Sequence, residues 1–183
     1  EVHLFEIHAI ASKYMRKNRL PEALHLFLLI LKVQRKINGE LHEDVGAAIH
    51  NVGLAQLRMD RHKLAHDSFA RAVRIRKGAL GIDHPDVASS QVKVGISLLL
   101  LHEFDQALHA FRDALSTRKR ALGALHPSLA RVYNNIGCVH VEFNELCDAR
   151  NARRARRAFQ AALDIQRNSI YHAPSSGTSH VLS

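Results

Sequence analysis

Histidine is the residue type that most readily suggests chemistry in this chain, with 14 copies among 183 residues. His62 and His66 are four residues apart, so on a helix they share one face and can bind Zn²⁺ if a third ligand converges. Between them stand Lys63, Leu64 and Ala65, so the glutamate of a zinc hydrolase motif is missing. The pattern favours a structural or solvent-exposed role for the histidines, and we predict no metal site and no cofactor.

Nucleophilic chemistry has no better support. Cys138 and His140 are two residues apart, so on a helix their side chains point in different directions and form no catalytic dyad. The sequence contains no glycine-rich phosphate loop, no nucleophile elbow and no carboxylate pair. We therefore predict that the protein is not an enzyme.

The two cysteines are Cys138 and Cys147. If both lie on or near one helix, nine residues place them about 13 Å apart, whereas a disulfide needs less than about 7 Å between Cα atoms. We expect free thiols in a reducing compartment, and hence a cytoplasmic location.

The charge of the chain points to acidic partners. Lysine and arginine number 26 against 17 aspartate and glutamate, which gives a formal net charge of +9. Such a balance attracts proteins, nucleic acid or anionic membrane alike. Aromatic residues make up only 5% and tryptophan is absent, which disfavours base stacking. No apolar run approaches the ~18 residues of a membrane span, so we expect no membrane contact.

A turn recurs at a fixed spacing of 42 residues and organises the elements around these side chains. It contains one glycine and one histidine in each copy: Gly39 with His42, Gly81 with His84, and Gly123 with His126. The glycine follows a helical pattern, where a positive φ is favoured. The histidine precedes the next helix, and prolines 85 and 127 occupy its first position. A turn repeated at constant spacing indicates a stacked array.

Helical periodicity fills the space between these turns with two helices per repeat. The first helices are predicted over Leu4–Lys17, Val45–Met59, Pro85–Leu101 and Pro127–Phe143, and the second over Pro21–Ile37, Leu64–Leu80, Gln106–Leu122 and Arg153–Asn168. Short links make each pair antiparallel. We predict an all-α, right-handed α-solenoid of four tandem helix-turn-helix repeats over residues 3–44, 45–86, 87–128 and 129–168, followed by a flexible C-terminal tail over 169–183.

The repeats share a core signature. The second helices carry Ala65/Phe69/Ala72, Ala107/Phe111/Ala114 and Ala155/Phe159/Ala162, and the first helices carry a small residue in phase at Ala11, Gly53, Gly95 and Gly137. With this signature the chain resembles the tetratricopeptide repeat (TPR), and its 42-residue length and Leu-Gly-x-x-His-Pro turn are similar to the kinesin light chain kind of repeat. HEAT and armadillo repeats share the length but lack this phase.

Two departures from the repeat carry predictions of their own. Repeat 4 holds a six-residue insertion near 149–154, which we expect to form an exposed loop or frayed helix extension. It brings a basic patch of five arginines: Arg150, Arg153, Arg154, Arg156 and Arg157. Repeat 1 has Leu28 and Leu29 where later repeats are polar, so we expect either that the natural protein continues before Glu1 or that two copies meet there.

The resemblance implies that the first helices line a concave peptide-binding groove. The residues it places there are His8, Arg16, His50, Asn51, Leu54, Leu57, Arg58, Val92, Lys93, Ile96, Leu99, Arg131, Asn134, Asn135 and Cys138. An apolar floor with a positive rim predicts a noncatalytic scaffold for an extended acidic peptide with a bulky apolar anchor, and the kinesin light chain resemblance points the same way. Two alternatives remain: a polyanion-binding array that uses the basic patch, and a structural spacer.

Overall fold

The computed structural model describes residues 4–143 and 149–171, which form eight α-helices and no strand. The helices are α1 Leu4–Arg16, α2 Leu20–Asn38, α3 Glu43–Arg58, α4 His62–Leu80, α5 Pro85–Leu100, α6 Phe104–Leu122, α7 Ser128–Glu142 and α8 Ala149–Tyr171. Each helix packs against the next one along the chain. The predicted all-α solenoid of helix pairs is therefore confirmed.

Each repeat closes with a turn that only glycine suits. Gly39, Gly81 and Gly123 have φ of 80°, 88° and 90°, a region that side chains with a Cβ rarely adopt. The histidine of the turn has a specific role, because its Nδ1 accepts a hydrogen bond from a backbone N–H of the next helix. The distances are 3.3 Å from His42 to Asp44 and 3.1 Å from His84 to Asp86. These histidines are helix N-caps.

The turn within each repeat also has a repeated conformation. Asn18, Asp60 and His102 take φ of 57°, 57° and 60° after the first helix. The backbone N–H of the following residue donates a hydrogen bond to a carbonyl in the last turn of that helix, as Glu103 does to Leu98 at 2.9 Å. The second helices of the first three repeats consequently begin one or two residues earlier than predicted, at Leu20 in the first repeat.

The in-phase glycines let the second helix approach the first. A Cβ added at Gly53 would lie 2.8 Å from the Phe69 ring, and one at Gly95 would lie 2.6 Å from the Phe111 ring. Both phenylalanine side chains are fully buried. The aromatic ring of the second helix thus occupies the space that a Cβ on the first helix would need.

Two buried arginines join consecutive repeats. Arg76 Nη1 donates to the Asp86 carbonyl at 3.0 Å and to Ser90 Oγ at 2.8 Å. Arg118, 42 residues later, donates to the Ser128 carbonyl at 2.8 Å. Each guanidinium thus ties a second helix to the start of the following first helix. Sequence reasoning missed this link, although the 42-residue spacing was visible.

Repeat 4 departs from the predicted insertion. Ala155 is the counterpart of Ala107, so position 152 is the counterpart of the α6 start at Phe104. Helix α8 begins three residues before that position, at Ala149, so half of the six-residue insertion extends the helix. The five arginines of the basic patch are exposed, as expected, but Asn151 is only 5% exposed. The segment is therefore partly packed. Helix α8 continues to Tyr171, beyond the predicted end at 168, whereas Cys147 and residues 172–183 of the predicted tail lie outside the described residues.

Candidate functional site

The predicted groove residues lie on the four first helices α1, α3, α5 and α7. Most are partly exposed, and the fully exposed ones are His8, Arg16, Arg58, Arg131 and Cys138. Leu54, Leu57, Ile96 and Leu99 are partly buried apolar side chains along this stripe. The helix register therefore presents a continuous row of side chains to which a ligand has access.

Val92 is the exception, and here the sequence prediction was wrong. It is 9% exposed and packs in the core with Phe111. Its counterparts in phase are His8 and His50, whose rings lie 5.8 Å from Phe27 and 5.3 Å from Phe69, measured between ring centroids. This position covers the core phenylalanine in the first three repeats, so a valine there belongs to the core rather than to the groove.

Hydrogen bonds cross from one first helix to the next along the stripe. Asn51 Nδ2 and His8 Nε2 are 3.1 Å apart and join α3 to α1. His50 Nδ1 and Ser90 Oγ are also 3.1 Å apart and join α3 to α5. Ser90 is fully buried and was missed by the sequence reasoning. These contacts fix the spacing of the helices that form the groove.

Arg58 has a structural role that the sequence prediction overlooked. Its guanidinium donates to the Met15 carbonyl at 2.6 Å and to Asn18 Oδ1 at 3.0 Å. These bonds hold the end of α3 against the turn after α1. One cation of the predicted positive rim, Arg58, is therefore already hydrogen-bonded within the array.

Two neighbouring cations of the groove are Lys93 on α5 and Arg131 on α7. Burial lowers the pKa of Lys93, and the neighbouring Arg131 lowers it further. Within the part of the chain that the structure describes, no carboxylate lies within ion-pair distance of either side chain. The two cations are thus close together without a counter-charge.

His50 lies beside this pair as a neutral ring. Burial is the main cause that lowers its pKa from 6.5 to about 3, and Arg76 and Lys93 add to the shift. A neutral imidazole accepts or donates a hydrogen bond to Ser90 according to its tautomer. Lys93 and Arg131 are therefore two neighbouring cations of the groove, and an uncharged polar ring lies next to Lys93.

The other chemical candidates stay apart from one another. Cys138 is exposed whereas His140 is 4% exposed, so the two side chains face different ways. Burial lowers the pKa of His140, Arg154 and Arg112 lower it further, and a hydrogen bond with Asn151 partly offsets the shift. Among the described residues, no three histidine, cysteine or acidic side chains gather as a metal site.

Comparison with known proteins places this architecture in a family. The tetratricopeptide repeat family matches residues 4–78 and 86–168, which is most of the chain, so the protein belongs to that family. No curated protein sequence matches the chain. Across the residues described, no helix combines the length and apolar character that crossing a membrane requires.

Solved structures of kinesin light chain-like proteins share the fold. BtubC (BKLC) from P. vanneervenii is 20% identical with a TM-score of 0.80, over 98% of this chain and 69% of that one. A putative kinesin light chain with nearly identical TPR-like repeats from Podosopora anserina is 16% identical, with a TM-score of 0.73 over 96% and 79% of the two chains. The Rap conjugation gene regulator of plasmid pLS20, in complex with the Phr* peptide, is 18% identical with a TM-score of 0.68, over 94% and 43%. The resemblance to kinesin light chain-like TPR proteins is confirmed at the level of fold.

Proposed function

We propose that this protein is a noncatalytic interaction scaffold that binds an extended partner segment in the concave groove of its first helices. The segment carries a bulky apolar anchor flanked by aspartate or glutamate. Membership of the tetratricopeptide repeat family supports the general role. The Rap regulator, which has a similar fold, is seen in complex with a peptide, and this supports a peptide as the class of ligand.

The observation that carries the proposal is the pair of cations Lys93 and Arg131. Neighbouring like charges repel each other, and Arg131 adds to burial, the main cause, in lowering the pKa of Lys93. A carboxylate of a partner segment would relieve that repulsion and supply the missing counter-charge. Acidic flanks therefore follow from the electrostatics of the groove itself.

The remaining groove residues supply the other contacts. Leu54, Ile96 and Leu99 are apolar and partly exposed, which suits an apolar anchor. Asn134 and Asn135 are partly exposed and make no hydrogen bond within the described chain, so both amides can pair with an extended backbone. Asn51 can add a further contact beyond its bond to His8.

A fluorescence-anisotropy panel of labelled peptides tests this proposal, with one tryptophan or leucine flanked by acidic, neutral or basic residues. We expect acidic flanks to bind most tightly. Lys93→Glu should weaken binding about tenfold at low salt and much less at high salt, because salt screens the attraction between the acidic flanks and the groove cations. Leu99→Asp should weaken it more than about 30-fold at any salt, because it removes the anchor pocket.

Matched controls lie on α4. Lys63→Glu and Leu64→Asp change an exposed lysine and a half-exposed leucine away from the groove, and both should bind normally. Circular dichroism confirms that each variant stays folded. Normal binding by Leu99→Asp, or a preference for basic flanks, would refute the groove proposal.

The basic patch supports a second candidate, which is polyanion binding. Its five exposed arginines on α8 would bind heparin or RNA without sequence preference and with steep salt dependence. Replacement of Arg153 and Arg157 by glutamine separates the two functions, since it should abolish polyanion binding and leave peptide binding unchanged. Self-association through the half-exposed Leu28 and Leu29, and a cytoplasmic location, remain predictions.

A further inference from the structure

A cleft lies on the side of α5 that faces away from the groove. It runs between α4 and α6, has a volume of about 370 Å³, and has an apolar floor. Its lining includes His66, Val73, Gln91, Val94, Leu98 and Ala110. At 100° per residue, positions 91, 94 and 98 fall on the opposite side of α5 from Lys93 and Ile96.

Gln91 is an unusual residue for this place. Its side chain is 6% exposed, and within the described chain its Oε1 has no hydrogen-bond partner. A buried amide oxygen without a partner destabilises a fold, because it has lost its hydrogen bonds to water. The residue in phase one repeat earlier is Ile49, which is 3% exposed and part of the core. Packing alone therefore favours an apolar residue at position 91.

The cleft continues into a more polar chamber of about 260 Å³. The two chambers share Lys77, Gln91 and Asp113, and the second adds Ser116 and Arg120. One aromatic ring fills only the apolar chamber. The hydroxyl and charged groups beyond it suit the backbone and polar side chains that flank such a ring in a polypeptide, because peptide N–H and C=O groups need partners.

We propose that this cleft is a second binding site, for a partner segment that inserts a tryptophan or tyrosine and donates its N–H or O–H to Gln91. Oε1 is buried in the free chain, and a change in the Gln91 side-chain torsion angles on binding would turn it toward the occupant. The aromatic body covers Val73, Val94 and Leu98. The site is independent of the groove on the other side of α5, and so is its test.

Nuclear magnetic resonance of the methyl-labelled 183-residue chain tests the site, with shifts of Val73, Val94, Leu98 and Ala110 as the readout. The probes are a five-residue peptide with a central tryptophan, the same peptide with 1-methyltryptophan, and free indole. We expect the tryptophan peptide to bind about tenfold more tightly than the 1-methyl peptide, which lacks the donor. Free indole should bind more weakly than the peptide, because it leaves the polar chamber empty.

Two variants make the test specific. Gln91→Leu should raise the melting temperature and bind both peptides equally, whereas Gln56→Leu should lower it, because Gln56 Oε1 accepts from Ser68 Oγ at 2.7 Å. Ala110→Phe should fill the cleft and abolish the shifts with Gln91 intact. Leu99→Asp, which tests the groove, should leave this binding unchanged.

Several outcomes would overturn the proposal. If the probes cause no shifts at these methyl groups, the cleft is not a binding site. If the two peptides bind the unmodified chain equally, Gln91 does not accept a hydrogen bond from the occupant. If Gln91→Leu still binds the tryptophan peptide about tenfold more tightly than the 1-methyltryptophan peptide, Gln91 is not the acceptor. Free indole that binds as tightly as the peptide would assign the cleft to a small aromatic compound instead of a polypeptide.

Discussion

His50 gives the sharpest test of the electrostatics in the groove, because its pKa is lowered from 6.5 to about 3 by burial and by Arg76 and Lys93. The unfolded chain takes up a proton at His50 near pH 6.5, whereas the folded chain does so only near pH 3. The contribution of neutral His50 is therefore complete above pH 6.5 and is lost as the pH falls toward 3. At about 1.4 kcal/mol per pH unit, the free energy of unfolding should fall by about 2 kcal/mol between pH 7 and pH 5 from this residue alone.

Urea unfolding at both pH values measures this loss in three proteins: the unmodified chain, His50→Gln and His109→Gln. Glutamine at 50 can still pair with Ser90 but does not titrate, so His50→Gln should lose about 2 kcal/mol less than the unmodified chain. The side chain of His109 is 80% exposed and its contact with Asp113 at 3.5 Å is solvent-screened, so its replacement should change the loss by no more than about 0.5 kcal/mol. Equal losses in all three proteins, or a His50 imidazole that titrates near pH 6.5 by nuclear magnetic resonance, would refute the reasoning.

Three further predictions concern the repeating elements. Phe111→Ala should cost about 3–5 kcal/mol in chemical denaturation, and a loss below about 1 kcal/mol would show that the helix register is wrong. Gly95→Ala should cost about 1–3 kcal/mol, because the new Cβ meets the Phe111 ring at 2.6 Å; the double variant Gly95→Ala/Phe111→Leu should lose less than the sum of the single losses, and simple additivity would contradict the contact. His84→Ala should cost about 1 kcal/mol through loss of the N-cap, and an unchanged melting temperature would show that the cap is dispensable.

The fold could be predicted from the sequence because its determinants repeat. The turn glycines and the glycine–phenylalanine pairs recur every 42 residues, and each is explained by local conformation or by contact within one helix pair. Periodicity fixes such features without knowledge of how repeats stack. Helix ends were less accurate, because the turn around Asn18 and its counterparts sets them rather than a capping side chain.

Contacts between repeats were harder to predict. The sequence presents Arg76 and Arg118 as ordinary exposed cations, yet the stacking of repeats buries both against backbone carbonyls. Val92 shows the same limit within one helix pair, because its place in the core depends on how closely α5 meets α6. The residues that a pattern places on one helix face can thus be known from sequence, but their partners on neighbouring helices cannot.

Positions that fail to repeat distinguish a binding scaffold from a structural spacer. A spacer gains only from stability, so it would place an apolar residue at 91, as at Ile49, and would have no use for a neighbouring pair of unpaired cations. Gln91 and the pair Lys93 and Arg131 both cost stability in the free chain, and Gln91 and Lys93 lie on opposite sides of the same helix α5. Ligands on the two sides would relieve these costs, one through a donated hydrogen bond and one through a carboxylate. Helix α5 is therefore where variants that raise stability should at the same time lose binding, which a spacer would not show.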